Sequence, residues 1–335
     1  MESDMQRWIH FMLSFKVSQM KNIVKHIIHT AIFFLILISF LLIISRLLMP
    51  KNNHKNAGMR DQSANGILAE KPGSIDVLIL GDSESYSSLI PMQIWDEYGI
   101  TAYCCGTPGQ TLCYSLNFLE KAFKEQSPKI VILETNAIFH YFPLLDMATQ
   151  KLDHIFPVFT YHNRWKTLTA RDLDFAVNYT YIDNTKGYQF SRNIAAAKTD
   201  NYMTPTDKAQ SIFGKNQFYL NCIKTYCEEH GAKLILVSTP STKNWNMARH
   251  NSVVNLSEDL NVEYLDMNLM TEEVPIDWEK DTRDKGDHLN HSGAQKATAF
   301  LGKYLFESGL VRNHKGEPSY QSWDEALKVF KELTS

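Results

Sequence analysis

From Ile75 onward the chain alternates short apolar runs with longer amphipathic stretches. Val77–Leu80, Ile100–Cys104, Lys129–Leu133, Lys233–Ser238 and Val262–Leu265 are mostly apolar and soon give way to small or polar residues. Short runs of this kind predict buried strands, and their near-continuous hydrophobicity favours parallel ones. Between them the spacing predicts helices around Ile90–Tyr98, opened by Pro91, and over Thr111–Lys124 and Asp207–His230, the last closed by Gly231. Further helices are expected over Asn244–Leu260 and Ala294–Glu307, and a final amphipathic one, read as peripheral, over Tyr320–Leu333. Strand–helix alternation with short connections predicts an α/β fold: a parallel sheet with right-handed crossovers.

The amino-terminal quarter has a different pattern. His26–Ser45 contains no Lys, Arg, Asp or Glu and is almost wholly apolar. About 20 such residues span a hydrocarbon core of ~30 Å, so 27–49 is expected to be one transmembrane anchor. A cleaved signal peptide has an apolar core of only ~7–15 residues and a small-residue cleavage site, which fits this stretch poorly. Residues 1–26 mix Arg7, Lys16, Lys21 and Lys25 with Trp8, Phe11 and Phe15, as a cytoplasmic segment hugging the membrane interface would. The expected localisation is the cell membrane, single-pass, with the carboxyl-terminal domain extracytoplasmic. Residues 50–74 are polar with little periodicity and read as a linker.

Within the main domain, 75–310, the rhythm breaks at about 139–206. This stretch holds His154, Phe156, Phe159, Tyr161, His162, Trp165, Tyr179, Tyr181, Tyr188 and Phe190. It is too long for a simple loop and is expected to be an insertion with its own short helices. Its aromatics either line an acceptor groove or form core where the insertion packs on the sheet. Residues 311–335 are taken as a helical extension.

Composition excludes some functions. The formal net charge of −3 on 335 residues offers no basic field for nucleic acid. The five cysteines (Cys104, Cys105, Cys113, Cys222 and Cys227) show no CxxC pair and no zinc spacing with His, and buried thiols are the default reading. No cofactor-binding motif is evident, and none is expected.

The chemistry concentrates at two places. Asp76-Val-Leu-Ile-Leu-Gly-Asp-Ser-Glu-Ser85 runs a strand into a turn, and working groups in open α/β sheets collect beyond such carboxyl ends. Ser83 there is either a helix cap or a nucleophile. Far along the chain, Asp281-Thr-Arg-Asp-Lys-Gly-Asp-His-Leu-Asn-His-Ser-Gly-Ala294 places His288 in a polar loop before a helix. A hydroxyl needs a base to take its proton, His suits that near neutrality, and a carboxylate must orient the ring. Neighbouring side chains on extended backbone point apart, which disfavours Asp287. A turn helped by Gly286 brings Asp284 alongside, so Asp284 is preferred as orienter with Asp287 as the alternative.

Gly81-Asp82-Ser83, the Gly106/Gly109 turn, Asn136 after a buried strand and the late Asp…His pair together resemble the four blocks of the SGNH/GDSL hydrolases. The likeness covers Ile75 to about Glu307, apart from the aromatic insertion. It implies a three-layer α/β/α flavodoxin-like fold, Ser83 as nucleophile and His288 as general base. It also implies an oxyanion hole made by the Ser83 N–H, the Gly109 N–H and the Asn136 amide. The chain departs from the family in Glu134-Thr135-Asn136-Ala137 at the third block, in the four-residue Asp284–His288 spacing, and in His-Leu where many members have His-Pro.

A domain of this kind on one amino-terminal anchor is similar to accessory proteins of envelope-polymer acylation, of the alginate O-acetylation and teichoic acid D-alanylation types. The resemblance implies an O-acyltransferase or O-acyl esterase acting on a cell-envelope polysaccharide or other acylated glycan, beside a multi-spanning membrane O-acyltransferase. Two other classes fit the sequence. One is a non-catalytic scaffold binding glycan or a membrane partner. The other is a metal-dependent hydrolase drawing on Asp82, Asp284, Asp287, His288 and His291, although no strong ligand spacing is present.

Overall fold

A computed structural model describes residues 2–153 and 155–335; His154 of the insertion lies outside them. In chain order the helices are α1 (Glu2–Leu48), α2 (Ser83–Ser88), α3 (Pro91–Tyr98), α4 (Leu112–Ala122), α5 (Leu144–Asp153), α6 (Val158–Tyr161), α7 (Gly214–Glu229), α8 (Met247–Leu260), α9 (His291–Glu307) and α10 (Gln321–Thr334). The strands are β1 (Val77–Gly81), β2 (Ala102–Gly106), β3 (Ile130–Glu134), β4 (Lys233–Ser238) and β5 (Glu263–Asp266). They form one parallel sheet in the order β2-β1-β3-β4-β5. This is the flavodoxin-like order, which places its switch point at the carboxyl ends of β1 and β3.

Side chains on a strand alternate between faces, and here that alternation builds two cores. Leu78, Leu80, Val131, Leu133, Leu234 and Leu236 pack with α4, α7 and α8 residues such as Phe118, Ile223 and Val253. Val77, Ile79, Ile130, Ile132, Ile235 and Val237 pack with Ile94 of α3 and with Ala297, Leu301 and Leu305 of α9. The sheet is therefore covered on both faces, giving three layers.

The chain divides into two compact units, residues 50–150 with 177–335 and residues 1–49 with 151–176. In the second, α1 runs unbroken for 47 residues, so the lead-in with its four basic residues and the apolar span form one helix, about 70 Å long. It is long and apolar enough to cross a membrane, and Ile27, Phe33 and Leu35 of the span are more than half exposed. Arg164 donates from Nη1 to the Leu48 carbonyl and from Nη2 to Asp172 Oδ1, both at 2.6 Å. This pair joins the helix end to part of the insertion within the unit.

Three sequence expectations need correction. The stretch 50–74 is folded onto the domain, because most of its few apolar residues pack inward. Met59, Ala64 and Ile67 are buried, and the Tyr103 hydroxyl donates to the Ser63 carbonyl at 2.7 Å. The helix expected from Asp207 starts only at Gly214. Residues ahead of it are held extended by α8, where Asn251 Nδ2 donates to the Thr206 and Lys208 carbonyls and Ser252 Oγ to that of Gln210. The closing helix α10 is integral: Trp323, Ala326 and Phe330 are buried, and the buried Lys186 ammonium lies 4.7 Å from the Trp323 ring while pairing with Glu70 at 2.7 Å. The insertion itself is divided, with 151–176 in the α1 unit and the rest in the sheet domain. There Tyr188 is core, against Phe330, whereas Trp165 in the α1 unit is exposed.

Candidate active site

The turn after β1 separates the cap from the candidate nucleophile. Asp82 is the cap of α2: its Oδ1 accepts the Glu84 N–H at 2.9 Å. Ser83 is the first helical residue, so its hydroxyl is left for other work. Gly81 has φ +154°, and a Cβ there would meet Glu134 Cβ at 2.6 Å, which excludes any side chain at this bend.

The loop before α9 brings His288 to the same spot. Thr282 and Leu289 pair across its base, and Lys285 and Gly286 both take left-handed φ, +65° and +88°. The chain thereby folds back within five residues. Asp284 Oδ1 accepts the His288 backbone N–H and Asp284 Oδ2 lies against His288 Nδ1, both at 2.6 Å. A carboxylate can only accept, so Nδ1 carries the proton and Nε2 presents its lone pair. His288 Nε2 stands 2.7 Å from Ser83 Oγ. Asp287 is turned elsewhere: its Oδ1 accepts from Asn244 Nδ2 at 2.6 Å.

Asn136 follows β3, on the other side of the switch point. Its Nδ2 donates to Asp82 Oδ2 at 2.7 Å and its Oδ1 accepts from Arg249 Nη1 at 2.7 Å. A carboxylate on one side and a guanidinium on the other set the amide orientation, leaving one of its two N–H groups uncommitted. His140 Nε2 also lies on Asp82 Oδ2, at 2.5 Å. Gly109 sits exposed in the Thr107–Gln110 turn after β2, at φ +60°. Of the residues proposed for metal binding, Asp82 is engaged by Asn136 and His140, and His291 Nδ1 pairs with the Tyr188 hydroxyl at 3.0 Å. Among the described residues, the group that does gather is Glu84, Asp287 and His288.

Sequence reasoning missed Glu84, Glu134, His140, Asn244 and Arg249. Burial, with Asp82 nearby, pushes the carboxyls of Glu84 and Glu134 well above the usual range. Burial also lowers Arg249, against the pull of Glu134, Asp82 and Glu84. Arg249 lies over the Phe139 ring at 4.6 Å and also donates to the Asn244 carbonyl. Position just after a strand's carboxyl end was the available signal for Glu84.

No family profile matches the chain, and no curated protein matches it. Solved structures similar to it include a protein of Bacteroides fragilis described as an acylhydrolase, with 10% identity over 74% of this chain and 95% of that one and a TM-score of 0.38. A GDSL-like lipase of Bacteroides thetaiotaomicron has 10% identity over 73% and 95%, also at 0.38. The psychrotrophic esterase EstA of a Pseudoalteromonas species has 14% identity over 69% and 97%, at 0.37. The chemistry of the site is read from its own side chains.

Proposed function

We propose that the protein is a membrane-anchored serine esterase or O-acyltransferase that handles acyl esters, acetyl or D-alanyl, of a cell-envelope glycan. The observation that carries this reading is the continuous contact Asp284–His288–Ser83, at 2.6 and 2.7 Å. His288 takes the Ser83 proton as Oγ attacks the ester carbonyl. The negative charge that grows on the carbonyl oxygen is met by the Ser83 N–H, the remaining Asn136 N–H and the Gly109 N–H. Collapse breaks the ester bond, the departing alcohol takes the proton from His288, and the acyl group stays on Ser83. Water then gives a carboxylic acid and a sugar hydroxyl gives a new ester, with His288 again moving the proton.

The long apolar helix supports the anchor, with the sheet domain outside the membrane. A multi-spanning membrane O-acyltransferase is the proposed partner. The test is release of acetate or p-nitrophenol from acetyl esters by the purified full chain. Ser83→Ala should lower kcat by about 10⁴-fold or more. A Ser83→Ala protein turning over at the parent rate would refute the assignment.

A further inference from the structure

We propose that Glu84, Asp287 and His288 form a binding site for a divalent cation of the Zn²⁺ class, which silences the catalytic base when filled. The silencing rests on the serine-site reading above; the binding does not.

One carboxylate oxygen each from Glu84 and Asp287 and a ring nitrogen of His288 lie within 4.8 Å of one another. Two carboxylates and an imidazole are an ordinary zinc donor set, with water completing the tetrahedron. Ligand atoms at the usual bond lengths lie roughly 3.4 Å apart in such a tetrahedron, so each group need close in by less than about 1 Å.

An independent observation points the same way. Glu84 is 1% exposed, and its Oε2 is buried without a hydrogen-bond partner. Buried carboxylate oxygens are rarely left so, because the desolvation is uncompensated. The Ser241 hydroxyl lies near this carboxyl, and its shortest contacts are to the carbonyls of Gly286 and Asp287, at 3.1 and 2.8 Å. Meanwhile Asn244 Nδ2 alone holds both carboxylates, donating to Glu84 Oε1 and Asp287 Oδ1 at 2.6 Å each. An amide nitrogen bridging two acids occupies the electrostatic role a cation would fill. His288 is also oriented as metal-bound imidazoles are, with its Nδ1 proton on the Asp284 carboxylate. The lone pair left for a cation is therefore that of Nε2, the one that faces Ser83 Oγ. A bound ion would take it and leave Ser83 without a base.

The test is calorimetric titration of Zn²⁺ into the full chain in detergent, beside Glu84→Gln and Asp287→Asn, with fluorophosphonate labelling of Ser83 in parallel. One site should be lost, or weakened at least about 100-fold, in each variant. Zn²⁺ should slow labelling of the parent, EDTA should restore it, and labelling of Asp287→Asn should resist Zn²⁺. Unchanged Zn²⁺ binding in Asp287→Asn, or no binding to the parent, overturns the site. Should Glu84→Gln fail to fold by circular dichroism, Asp287→Asn alone decides. Zn²⁺ binding lost in the variants from a parent that no probe labels would support the site and sink the serine chemistry instead.

Discussion

Ser83 Oγ and His288 Nε2 are 2.7 Å apart although 205 residues separate them in the chain. The sheet order makes this possible. β1, an interior strand between β2 and β3, ends just before Ser83's turn, and the last loop before α9 returns to the same end of the sheet. Neither residue is positioned by its own element alone. Asp82 fixes the serine by capping α2, and Asp284 fixes the histidine through two contacts on one carboxylate.

Asp284 and Asp287 can be told apart by rate. Asp284→Asn should keep the loop but favour the wrong imidazole tautomer, lowering kcat by about 10⁴-fold. Asp287→Asn, which touches Asn244 rather than the ring, should lower it by less than about tenfold. Steady-state ester hydrolysis by both variants checks the ranking.

In the proposed mechanism Arg249, which donates to Asn136 Oδ1, would act through that amide rather than on substrate. Removing the guanidinium frees the Asn136 oxygen and lets the amide rotate away from the developing oxyanion. Arg249→Leu should therefore cost about 10²-fold, falling on kcat more than on KM, close to the effect of Asn136→Ala. Equal losses in KM alone would make Arg249 a binding residue instead.

Gly286 admits no side chain. Its φ is +88°, and a Cβ would meet Thr242 Oγ1 at 1.9 Å. Gly286→Ala should destabilise the domain by about 1–3 kcal/mol and displace Asp284 from His288. Denaturant unfolding and esterase rate should fall together.

Glu134 makes stability depend on pH. Burial raises its carboxyl well above the ordinary glutamate range, with Asp82 adding repulsion and Arg249 opposite. The folded protein therefore holds a proton that the unfolded chain has released. Stability should fall as pH rises above the unfolded value of about 4.5, levelling off only beyond the raised folded value. Glu134→Gln should flatten that decline, as seen in urea midpoints measured from acid to mildly alkaline pH.

How much of this was legible depended on whether the deciding contacts were local. Val77–Leu80 and Ile130–Leu133 are unbroken apolar runs, so strands buried on both faces could be read from them directly. The pairing of Asp284 with His288 was readable because Gly286 stands between them. Residues 50–74 misled because their polar majority hides Met59, Ala64 and Ile67, and because Tyr103, whose hydroxyl donates to the Ser63 carbonyl, lies some 40 positions away. The late start of α7 was hidden for the same reason: side chains of α8 compete for the backbone of 206–210. Arg249 and Asn244 carry no local signal, since each matters only through strands and loops distant in sequence.

The most direct measurement is fluorophosphonate labelling of the full chain followed by peptide mapping. One adduct should appear, on Ser83, and it should vanish in Ser83→Ala and His288→Gln proteins that remain folded. No adduct under conditions that label a control esterase, or an adduct that persists without His288, would contradict the account.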